Sequence, residues 1–127
     1  MEFEGEYING KKNGKGKEYD DKGKLRFEGE YLNGERWNGK GKEYEYGILR
    51  FEGEYINGEK NGKGKEYDKY GKLIFEGEYI NGKRWNGKGK EYDIFGKIIF
   101  EGEYINGKKN GIFFEEFLNE KRNDDSK

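Results

Sequence analysis

Residues 27–46 read FEGEYLNGERWNGKGKEYEY, and with small edits the rest of the chain says the same thing again. FEGEY, then Ile or Leu, then Asn-Gly begins at Phe3, Phe27, Phe51, Phe75 and Phe100, at spacings of 24, 24, 24 and 25 residues. The second half, NGKGKEY, begins at Asn13, Asn38, Asn61 and Asn86. In the fifth copy it gives way to NGIFFEEF from Asn110. A fixed period in the twenties marks a quasi-one-dimensional array in which each supersecondary unit is buried by its neighbours.

Within one copy, Leu25, Phe27, Gly29 and Tyr31 alternate with Arg26, Glu28 and Glu30, the period of two of a strand with one buried face. Asn33-Gly34 is a turn signal, because both residues tolerate positive φ. A loop through Trp37, Asn38 and Gly39 is expected to lead into a second strand over 40–45. Gly-containing connections at 20–24 and 68–72 close their units. Glycines recur in every window that a helix would need. The prediction is an all-β fold: an elongated, twisted antiparallel meander, or solenoid, of consecutive β-hairpins. It forms a single domain over 1–127, gaining roughly 10 Å per repeat and roughly 50 Å in all.

Two departures from strict repetition carry information. Copies 2 and 4 hold Glu-Arg-Trp at 35–37 and Lys-Arg-Trp at 83–85, where copies 1 and 3 have only Lys-Lys at 11–12 and Glu-Lys at 59–60. Copy 2 recovers its length near Tyr46-Gly47 and copy 4 does not, so the array alternates in pairs, with Trp on every second loop. Strict alternation also groups Tyr44 with Lys40 and Lys42 rather than with Gly41. Either those lysines line a rim or a bulge intervenes near Gly41. After Gly111, Ile112, Phe113, Phe114, Phe117 and Leu118 replace the polar strand. Residues 112–127 are therefore expected to cap the open end, as a last strand or a short amphipathic helix, with 123–127 frayed.

At 127 residues the chain is one domain's worth, and its 42% charged and 30% hydrophobic content alone would suggest disorder. Aromatics at 17%, fixed in position, and a net charge of only -1 argue for a folded chain. There is no Ala, Val, Thr, Gln, Pro, His or Cys, so the core must be rings packed with Ile, Leu and bare glycine backbone. The absence of Cys excludes disulfides and thiolate metal sites. With no membrane-length apolar run and no secretory signal at Met1, a cytoplasmic location is expected, with peripheral membrane contact as the alternative.

The chemistry-bearing patterns dissolve on inspection. Glu28/Glu30, repeated at 52/54, 76/78 and 101/103, are undifferentiated pairs, whereas acid–base work needs two carboxyls in different environments. Cross-strand pairing with lysines such as Lys40 and Lys42 accounts for them. NGKGKE lacks the Ser or Thr and the following helix of a phosphate-binding loop. No His, Cys or calcium-type acidic loop offers a metal site, and Ser126 is the only serine. Catalysis, a cofactor and a small-molecule substrate are not expected. The loop segments 8–17, 32–42, 56–65, 80–90 and 105–109 carry a formal +14. They define a candidate interaction edge of Lys12, Arg36, Trp37, Lys60, Arg84, Trp85 and Lys108. For the tryptophans the plainer reading is preferred: each covers glycine backbone of its own loop. The near-neutral total argues against nucleic acid.

FEGEY, Asn-Gly and Gly-Lys-Gly on this period resemble the MORN repeat family, with Phe as the first aromatic in every copy. The resemblance runs from about Phe3 to Gly111. It implies a strip of β-hairpins with an aromatic- and glycine-lined groove, here Phe27, Tyr31, Phe51, Tyr55, Phe75 and Tyr79. It also implies a protein-interaction or assembly role, or phospholipid-headgroup binding. The functional expectation is a non-catalytic scaffold for a protein partner or for self-association through open ends. One alternative is peripheral binding to anionic phospholipid through the basic edge; the other is an idealised, engineered array with no evolved partner.

Overall fold

The computed structural model describes residues 2–113, and they form one antiparallel sheet whose ten strands lie side by side in chain order. The strands are β1 (Glu2–Ile8), β2 (Lys11–Tyr19), β3 (Leu25–Leu32), β4 (Glu35–Glu45), β5 (Ile48–Ile56), β6 (Glu59–Tyr67), β7 (Leu73–Ile80), β8 (Lys83–Tyr92), β9 (Ile98–Ile105) and β10 (Lys108–Phe113). Odd-numbered strands carry FEGEY and even-numbered strands carry the second half of each copy. The hairpin meander is the expected one. Ile112 and Phe113 continue β10, and the rest of the expected cap, 114–127, lies outside the described residues.

The second strand of each hairpin starts earlier than its sequence suggests. Only Asn33 and Gly34 lie between β3 and β4, with φ of 50° and 88°. Two successive positive φ values are what a two-residue hairpin turn requires, because their twist matches that of the flanking strands. In the first four hairpins the residues expected to form a loop are absorbed as bulges, whereas β9 and β10 pair without a shift. Between β3 and β4 the pairing steps from Glu30↔Asn38 to Tyr31↔Arg36, leaving Trp37 as the extra residue. Between β1 and β2 it steps from Gly5↔Gly16 to Tyr7↔Lys12, a shift of two, with Gly14 at φ 73°.

At the other ends of the strands, the residue that breaks register belongs to the odd strand. Pairing passes from Glu43↔Phe51 to Tyr44↔Leu49, so Arg50 is the extra residue while β4 continues unbroken past Gly41. Tyr44 therefore stays with the lysines, and its ring lies 3.7 Å below the Arg26 guanidinium. Copy 2 turns here on Tyr46-Gly47, both at positive φ. Its neighbours use an Asp turn, in which Asp20 Oδ1 accepts from the Lys22 and Lys24 amides at 2.9 Å; Asp68 and Asp93 do the same.

The core is one face of this sheet. Phe27, Tyr31, Phe51, Tyr55, Phe75, Tyr79, Phe100 and Tyr104 are all buried. They run as one zigzag of edge-to-face pairs, from Tyr7–Phe3 through Phe3–Tyr31 and Phe27–Tyr55 to Phe75–Tyr104, with centroids 4.9–6.4 Å apart. Each such pair contributes about 0.5–1.5 kcal/mol beyond its buried area. The rings need glycine opposite them. A Cβ on Gly41 would meet Phe27 at 2.6 Å, and one on Gly64 would meet Phe51 at 2.8 Å and Tyr79 at 2.9 Å.

Candidate functional site

The bulges decide which side chains join the rings. Because Trp37 is extra, Arg36 falls opposite Tyr31 on the ring face rather than on the face of Lys40. Its guanidinium carbon sits 4.9 Å over Phe27, and its Nε and Nη2 donate to Glu18 of the preceding unit at 3.2 and 3.1 Å. The Tyr31 hydroxyl donates to the same carboxylate at 2.6 Å. Copy 4 repeats the cluster: Arg84 Nε and the Tyr79 hydroxyl donate to Glu66 at 3.1 and 2.6 Å, and Arg84 Nη1 reaches the Tyr104 hydroxyl at 2.7 Å. In the units between, lysine replaces arginine. Lys60 lies 3.8 Å from Glu43, which also accepts from Tyr55, and Lys109 pairs with Glu91. The pairwise alternation of the sequence is thus an alternation of Arg–Glu and Lys–Glu ties, each joining one unit to the next.

The protonation states of these clusters are fixed well away from neutral pH. Burial pushes Glu18 and Glu66 up, but the hydrogen bonds from Arg36 or Arg84 and from the tyrosine outweigh it, and both carboxyls sit below their usual range. Burial and the bond to a carboxylate push the hydroxyls of Tyr31, Tyr55 and Tyr79 far above theirs. An acid kept ionised beside phenols kept neutral, with an arginine between, is a structural tie. Proton transfer near neutral pH needs groups poised there instead. Among the described residues no group of three or more acidic, His or Cys side chains is placed to hold a metal ion. No helix among them is long and apolar enough to cross a membrane.

The opposite face is a lattice of opposite charges. Lys17 stands between Glu4 and Glu28, Lys40 between Glu28 and Glu54, Lys65 between Glu52 and Glu76, and Lys88 between Glu76 and Glu103. The closest contacts are 3.3 Å for Lys17–Glu28 and 3.7 Å for Lys42–Glu52. Glycines pair with glycines down the middle, as in Gly5↔Gly16↔Gly29↔Gly39 and Gly53↔Gly64↔Gly77↔Gly87. The backs of these glycines, whose absent side chains would point to the ring face, floor troughs between the charged side chains. One, of about 630 Å³, has a floor of Gly5, Gly16, Gly29 and Gly39 and walls that include Glu28 and Lys17. A second, of about 520 Å³, has Gly64, Gly77 and Gly87 as its floor.

The residues singled out from the sequence therefore separate. Lys12, Arg36, Lys60 and Arg84 each stand over the Phe of their own unit, Phe3, Phe27, Phe51 and Phe75, at 4.3–5.2 Å. In the fifth unit Lys109, rather than Lys108, takes that position over Phe100. Trp37 and Trp85 are half-buried, and the glycines they cover belong to the next unit. Gly58 and Gly107 would meet the indole rings at 3.2 and 3.3 Å, and their amides donate to Trp37 O and Trp85 O at 2.9 Å. Asn38 and Asn86 complete the stitch by accepting from the Asn57 and Asn106 amides. Phe27, Tyr31, Phe51, Tyr55, Phe75 and Tyr79 are core residues, 0–6% exposed, and the open troughs lie on the face behind them.

Sequence reasoning passed over the far edge. Tyr46, Tyr70 and Phe95 stand at successive turns with 96%, 57% and 81% exposure. Each directly precedes a turn glycine, in EYG, DKYG and DIFG, where copy 1 has Lys22. A large apolar residue in a turn was the available signal.

The MORN repeat family model matches residues 3–24, 51–69, 75–93 and 100–112. The second copy, with its Arg-Trp insertion and shortened turn, falls between matched segments yet folds into the same hairpin. No curated protein matches the chain in sequence. The matched segments cover more than half of its length, and the chain belongs to the MORN repeat family.

Proposed function

We propose that this chain is a non-catalytic scaffold that docks a protein partner across its Glu/Lys face. The observation that carries the reading is the series of glycine-floored troughs, flanked at regular intervals by carboxylates and ammonium groups. Bare backbone gives an apolar floor, and the alternating charges give register, the combination that favours specificity over raw affinity. The rings are spent on the core and the shifted titratable groups on ties between units, which leaves this face as the open, shaped surface among the described residues.

Affinity capture from a lysate tests it, using the wild-type chain beside Glu28→Gln/Glu52→Gln/Glu76→Gln. These substitutions neutralise one wall of the troughs without touching the rings. A protein retained by the wild type and released by the variant supports the reading, and equal retention overturns it. Vesicle co-flotation run in parallel addresses the lipid alternative. Flotation only with anionic lipid, falling with salt, would reassign the partner to phospholipid.

A further inference from the structure

The molecule displays one inter-unit joint four times: β2 against β3, β4 against β5, β6 against β7 and β8 against β9. In the first of these, Gly16 lies on Gly29, Lys15 and Lys17 face Glu30 and Glu28, Gly14 faces Tyr31, and Glu18 faces Phe27. Glu18 receives the Tyr31 hydroxyl and Arg36, and Gly16 gives its open Cα to the Tyr31 ring.

β1 carries the same five residues as β3, with the partner side empty among the described residues. The consequences are visible in its side chains. Tyr7 is 57% exposed, where Tyr31, Tyr55 and Tyr79 are at most 6%. Lys12, the counterpart of Arg36, stands over Phe3 but makes no ion pair among the described residues. Glu6 has no cross-strand partner on β2, just as Glu54 has none on β6, but it lacks the lysine that Glu54 faces in Lys40 on its other side. Charged side chains on an edge strand oppose indiscriminate pairing with other chains. This one carries Glu2, Glu4 and Glu6 together on one side of the strand. That pattern opposes pairing of β1 with a second β1, since Glu4 and Glu6 would then face carboxylates.

We infer that the outer edge of β1 is a docking site for an added strand of the Lys-Gly-Lys type. Its glycine seats on Gly5, its lysines face Glu4 and Glu6, and a following glutamate is taken by Lys12 and the Tyr7 hydroxyl. Main-chain hydrogen bonds supply the attachment and the charge pattern selects the sequence, the general logic of β-strand addition. The inference goes beyond the scaffold reading, because it concerns the sheet edge and stands even if the Glu/Lys face binds nothing.

The test is a titration of the ¹⁵N-labelled 127-residue chain with acetyl-Asn-Gly-Lys-Gly-Lys-Glu-Tyr-amide, followed by amide shifts. The expected result is saturable shifts centred on Gly5, Glu6 and Tyr7. A peptide with Glu between its two glycines should bind about threefold more weakly, the size of one cross-strand charge pair. In Glu6→Lys the preference should invert, with the Glu-containing peptide binding more tightly. Absence of shifts in β1 at millimolar peptide overturns the inference. So does equal binding of both peptides, or a preference that Glu6→Lys leaves unchanged.

Discussion

Gly53→Ala should be far more damaging than a methyl group ordinarily is in an exposed sheet. The added Cβ would stand 2.6 Å from Lys63 O, 2.7 Å from Gly64 Cα and 2.8 Å from Phe51 Cζ. Two of these three atoms are backbone of β6, so no side-chain rotation relieves the contact. Restoring ordinary separation of about 3.5 Å requires β6 to retreat by about 0.8 Å. Ladder hydrogen bonds near about 2.9 Å would then stretch past their useful range, losing roughly two bonds at about 1 kcal/mol each. Disturbing the ring of Phe51 adds about 1 kcal/mol, and the lower entropy of the unfolded alanine chain returns at most about 1 kcal/mol. The net expectation is a loss of about 2–3 kcal/mol. Lys63→Ala is the matched control, because it removes an exposed side chain from the same neighbour and should change stability by less than about 0.5 kcal/mol. In urea followed by far-UV circular dichroism, the glycine variant should lower the midpoint by about 1–2 M. Midpoints within error of each other would refute the close-packed glycine account.

Other tests follow from the ties between units. Arg84→Met leaves Glu66 and the Tyr104 hydroxyl without their shared donor, and at their partial exposure a loss of about 1–3 kcal/mol is expected by thermal denaturation. Glu66 is held below its ordinary range in the folded state, so its contribution is complete above about pH 4.5. That contribution should fade as pH drops further. Glu66→Gln should therefore be less stable than wild type at neutral pH, with the difference shrinking below about pH 4.5; a gap constant down to about pH 3 would contradict the assignment. In a Trp85→Phe background, Gly58→Asn keeps a residue tolerant of positive φ but crowds the Trp37 ring. Red-shifted, more quenchable Trp37 emission is the expected readout. An unchanged spectrum would place the indole elsewhere.

The strand-and-turn plan was legible because its causes are local. Asn-Gly specifies a two-residue turn through its own φ preferences, and FEGEY specifies a strand with one apolar face through its period of two. The 24-residue repeat then orders the strands without any long-range information. Even the glutamate–lysine pairing on the open face could be read from the alternation.

The candidate site was legible only in part, and the reason is parity. Counting back from Lys40 in steps of two places Arg36 among the outward lysines, but the single extra residue at Trp37 reverses the count and turns Arg36 onto Phe27 and Glu18. In copy 1 the bulge is two residues long and leaves parity intact. Whether Lys-Lys-Asn or Glu-Arg-Trp-Asn forms a loop, a one-residue bulge or a two-residue bulge depends on how the following unit pairs with it. The same holds for the tryptophans: the indole of Trp37 meets Gly58, a residue 21 positions later, where the sequence suggested its own loop. Gly53, part of the bare glycine backbone expected to pack against rings, proves to be a place where two backbones approach as well. By itself the sequence determined the repeat, the turns, the aromatic face and the charged face, because each follows from residues close together in the chain. The tertiary structure alone decided which cations join the core, which glycines the tryptophans cover and where the open troughs lie, because those follow from strand register within and between units, which one inserted residue can reverse.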